Sequence, residues 1–195
     1  MQQSVALGYA IPENLGDKMM KAVVSLVRGG DESPFQRAFG AYVLAQFQDS
    51  PITNADLLAL HRERDRLTDE GRALLALAMH YRKTLPTEKL QLLRELGDIT
   101  PKDRAFDPRT FSSPNRSFAI CLLALNECAP PFWTPDKRNA ASQRLLKSLA
   151  DLNMGSTQEN LWSLLAFRTI LRATPAGAAA PKLKPPRTRS TIPQM

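Results

Sequence analysis

STQENLWSLLAFRTILR, residues 156–172, carries the reading of the fold. Ser156 offers a hydroxyl to cap a helix, and Glu159, three residues on, reaches back to the cap's own amide, the arrangement of a capping box. Gly155 ends whatever helix precedes it. Leu161, Trp162, Leu164, Leu165, Ala166 and Phe167 then place apolar groups almost all the way round. A surface helix shows one apolar stripe, so this one is expected to be buried on most sides.

Upstream, Thr134-Pro135 opens a helix of the other kind. Ala141, Leu145, Leu149 and Leu152 make one stripe, with Lys137, Arg138, Arg144 and Lys147 outside it. Before it, Ser113-Pro114 caps a helix whose centre, FAICLLALNEC from Phe118 to Cys128, is almost wholly apolar. Pro86 opens a short striped helix bearing Leu90, Leu93 and Leu96, which Gly97 ends. Between these two lies a loop over 98–113, which Phe106 and Phe111 are expected to hold down; loops of that length often carry function. RALLALAMHY, from Arg72 to Tyr81, is apolar all round and follows Thr68. Thr53 caps a helix with Leu57, Leu58, Leu60 and Leu67 facing in, and the charged run from Arg62 to Arg66 reads as its solvated face. Ser33-Pro34 caps one with Phe35, Ala38, Phe39, Tyr42, Val43 and Phe47 on a wide face, expected to end near Asp49. The first helix is expected from Pro12 to Gly29-Gly30, with Leu15, Met19, Met20, Val23, Val24 and Val27 as its stripe.

Odd helices carry one stripe and even helices a broad apolar surface. The even ones begin near 34, 69, 114 and 156, a spacing of 35, 45 and 42 residues, which marks an array of helical hairpins. The expected fold is all-α: two layers of about four hairpins, even helices inside and odd ones outside. An open solenoid or an incomplete α/α toroid would satisfy that pattern. The domain is expected over 1–174. The segment 175–195 is rich in Ala and Pro and is expected to be a disordered basic tail.

Charge and cysteines narrow the function classes. The net charge is +7, but Lys182, Lys184, Arg187 and Arg189 of the tail supply four of those charges without an acid, leaving a body of ordinary balance. No aromatic-interleaved basic motif appears, so no nucleic-acid partner is expected. Cys121 and Cys128 on one helix would stand about 10 Å apart. A disulfide needs less than about 7 Å, so free thiols are expected. No apolar run approaches the roughly 20 residues of a membrane span. The N-terminus lacks a basic n-region, so no signal peptide is read and the chain alone would be cytoplasmic.

His61 and His80 lie on different helices without a paired ligand motif and read as helix-surface or boundary residues. No Gly-rich phosphate loop and no HExxH motif is present. We expect no enzyme, with no catalytic, cofactor-binding or metal-ligating residue. Terpenoid cyclases and prenyltransferases also use α/α toroids, and many need Asp-rich motifs that this chain lacks. Gln158 and Trp162 are only faintly similar to their Gln–Trp repeats, whose glycine is missing.

Four stretches carry a family resemblance. GYAIPENLGDKMMKAVVSLV, Gly8 to Val27, resembles the helix that follows the thioester segment in bacterial alpha-2-macroglobulins. AFGAYVLAQFQ, Ala38 to Gln48, and DEGRALLALAMHY, Asp69 to Tyr81, resemble the next inner helices, and STQENLWSLLAFR, Ser156 to Arg168, is similar to their STQE-type inner helix. The resemblance spans Leu7 to Ala173 in the family's order. It implies part of a thioester domain, an α/α toroid of a protease-trapping endopeptidase inhibitor, placed in the bacterial periplasm or envelope. The Cys-Gly-Glu-Gln thioester motif is absent: Cys121 is followed by Leu-Leu-Ala and Cys128 by Ala-Pro-Pro. No functional residue carries over, Gln158 included, and the chain is expected not to be covalently reactive itself. Four hairpins would leave an open edge exposing apolar sides of the first and last helices, which implies a protein partner, either the remainder of such a molecule or a second copy. A helical-repeat scaffold binding protein in its concave face is the alternative, and a toroid enzyme the third reading.

Overall fold

Seven of the described helices start at a capping hydroxyl or at a proline in the first turn. The computed structural model describes residues 15–30, 32–96, 113–151 and 156–173; no strand occurs among them, and they form eight α-helices. They are α1 Leu15–Arg28, α2 Pro34–Ala45, α3 Asn54–Arg62, α4 Asp69–Tyr81, α5 Pro86–Glu95, α6 Pro114–Cys128, α7 Pro135–Asp151 and α8 Thr157–Ala173. Ser33 and Gln36 form a capping box on α2, and Thr53 and Asp56 one on α3. Thr68 caps α4 and Ser113 caps α6 through single hydroxyl acceptors. These interactions satisfy amides that a helix start otherwise leaves unpaired.

The ends are equally local. α2 stops at Ala45, a turn earlier than its apolar pattern suggests. After Arg62 the charged run tightens into a 3-10 turn over Arg64–Arg66. Arg62, Asp65 and Arg66 face solvent as read, while Arg37 reaches Glu63 at 2.8 Å and Arg64 reaches Glu95 at 3.1 Å, joining the run to α2 and α5. Lys83 and Ala129 take left-handed backbone angles just past α4 and α6, at positions where glycine is usual, and Leu85 takes one immediately before α5.

Packing follows the alternation in the sequence. α2 packs on α4, α4 on α6 and α6 on α8, so the even helices stand side by side. α1 packs on α2, α3 and α5 on α4, and α7 on α6. The middle even helices are the most deeply covered: Ala73 through Met79 of α4 and Phe118 through Leu125 of α6 are all buried. Gly40 brings α1 close to α2. A Cβ there would stand 2.9 Å from Leu26 and 3.0 Å from Val27.

Two expectations are corrected. α8 is buried along one side only, through Glu159, Trp162, Ser163, Ala166 and Thr169, whereas Leu161, Leu164 and Leu171 are 49%, 68% and 67% exposed. The cause is position: α8 is the last described helix, so only one inner neighbour covers it along its length. His61, read as a surface or boundary residue, is buried in the packing of α3. The start of the first helix at Pro12, the loop with Phe106 and Phe111, and the tail from 175 lie outside the described residues.

Candidate functional site

The even helices run parallel, because their first turns meet at one end. Glu70 of α4 accepts from the Ser117 hydroxyl of α6 at 2.7 Å, and its carboxylate lies 3.9 Å from the Arg116 guanidinium. Both Glu70 and Arg116 are buried, and Arg116 also lies 5.7 Å over the ring of Phe35 on α2. Glu159 of α8 accepts from the hydroxyl of Ser113 at 2.5 Å and from the amide of Ser156 at 2.7 Å. The amide of Glu159 in turn donates to Ser156 Oγ at 3.2 Å, completing the capping box read from the sequence. Four helix N-termini gather positive partial charge here, and the chain supplies its own carboxylates to meet it.

Farther along the helices, aromatic rings occupy the space between them. Phe35, Phe39 and Tyr42 descend one side of α2, with centroids 6.5 and 6.4 Å apart. Tyr42 meets Tyr81 of α4 at 6.1 Å and Trp162 of α8 at 6.0 Å. The first and last inner helices therefore touch through Tyr42 and Trp162, which are 8% and 5% exposed. Burial, with Glu127 adding to it, raises the Tyr42 phenol above its usual range. Burial, then Tyr42 and Glu127, raises Tyr81 further. Burial pushes the nearby Cys128 thiol up to about 12, so it stands as a thiol, a poor nucleophile, at neutral pH. Neither Cys121 nor Cys128 is in a disulfide, as their spacing implies.

The histidines do not converge. Burial, and then Arg64, lowers His61, and burial, and then Lys89, lowers His80. His80 stands edge-on to Tyr81 at 5.7 Å, while His61 is on α3. Among the described residues, no three His, Cys, Asp or Glu side chains group closely enough to hold a metal ion, and no helix is long and apolar enough to cross a membrane.

What remains uncovered is the outward side of α8. Leu161, Leu164, Arg168 and Leu171 follow one another at spacings of three and four, which puts them on one helical face. Leu15 and Met19 of α1, at 42% and 54%, and Phe39 of α2, at 38%, are the other exposed large apolar side chains among the described residues. The sequence reading reached both ends of the array but not the orientation of α8: the residues that decide it, Trp162 inward and Leu164 outward, are equally apolar. Gln158, on the stretch that carries the resemblance, is an exposed first-turn residue. Comparison with family models, curated proteins and solved structures finds no match to this chain.

Proposed function

We propose that this chain is a non-enzymatic, protein-binding piece of an α/α toroid of the alpha-2-macroglobulin type, lacking covalent reactivity of its own. The observation that carries the binding role is the run of exposed leucines on α8, the last described of four helices that pack side by side. Exposed apolar surface in a continuous helical stripe marks an interaction edge. The toroid reading draws on the four resembling stretches and on this order of packing.

The central alternatives find less support. A peptide in a concave face, or an isoprenoid held on the axis, needs room between the inner helices. Tyr42 packs against both Tyr81 and Trp162 there. Cys128 is held as a thiol beside them, so neither thioester chemistry nor a thiolate nucleophile is set up at that position.

Two measurements test the reading. The chain incubated with an active protease should give no adduct stable to denaturing electrophoresis; an adduct would overturn the unreactive assignment. A photo-crosslinking amino acid at position 164 should give a discrete protein adduct in cells, while the same group at exposed Asn139 on α7 should not. Equal labelling from both positions, or none from 164, would overturn the interaction edge.

A further inference from the structure

We draw no further inference here: the strongest candidate, the outward face of α8 with its exposed Leu161, Leu164 and Leu171, carries none, because nothing in the structure shows what covers it and Arg168 lies in electrostatic reach of Tyr42 and Tyr81, where Glu127 supplies a carboxylate.

Discussion

Ala129 sits just past the end of α6 with φ at 43°, and its amide reaches back to the carbonyl of Leu125 at 3.0 Å. That geometry closes the helix, but a side chain there costs about 1–2 kcal/mol relative to the right-handed region. Ala129 is exposed, so removing its methyl group empties no cavity. Ala129→Gly is therefore expected to stabilise the protein by about 1 kcal/mol, after the greater freedom of glycine in the unfolded chain is set against the strain. Chemical denaturation of the two chains decides the sign. Asp56 makes a second prediction. Its hydrogen bond to Arg28, with help from the Thr53 cap, holds its carboxyl at about 2, below the ordinary 3.8. A carboxyl with a depressed folded value stabilises the protein above 3.8, and that contribution is lost as pH falls toward 2. Asp56→Asn should flatten the decline of stability across this window. The exposure of Arg28 keeps the effect modest, and it should shrink in high salt.

At the scale of the helix, caps were legible and orientation was not. Ser156 with Glu159 forms the capping box its spacing implies, and Ser33 and Thr53 cap as read, because a cap depends only on residues within one turn; the structure adds the reciprocal bonds of Gln36 and Asp56. The alternation of striped and broadly apolar helices was also readable, and α4 and α6 are covered as their composition predicts. α8 was misread because burial of the last helix depends on what stands beyond it, which no property of the helix reports. His61 was misread for a related reason: α5 packs on α4 near α3, a contact distant in sequence. The two sides of α8 should respond differently to substitution. Trp162→Ala removes a buried ring that touches Tyr42 across the inner helices and is expected to cost about 3–5 kcal/mol. Leu164→Ser, on the exposed side, should stay within about 0.5 kcal/mol in the absence of a partner. Thermal or denaturant unfolding of both variants measures the difference; equal costs would mean that α8 is turned otherwise.

Across the whole molecule, the inner helices are joined twice, by different chemistry at different levels. Farther along, Tyr42, Tyr81 and Trp162 join α2, α4 and α8 through contact that tolerates small shifts. At the N-terminal end the bonds are polar and directional. Glu70 and Ser117 link α4 to α6, Arg116 reaches Glu70 and the ring of Phe35, and Ser113 links α6 to α8 through Glu159. A buried charge pair contributes little beyond what packed apolar groups would, yet losing one partner leaves the other charged in a poor solvent. Glu70→Ala is therefore expected to cost about 3–5 kcal/mol, well above the price of an ordinary surface carboxylate. Replacing Glu70 with Leu and Arg116 with Met together should cost less than the sum of the two single changes, because the double variant leaves no unbalanced charge. A double-mutant cycle by equilibrium unfolding reads that coupling. Additive costs would mean that Glu70 and Arg116 act separately, and the polar end would then align the four inner helices through its hydroxyl–carboxylate bonds alone.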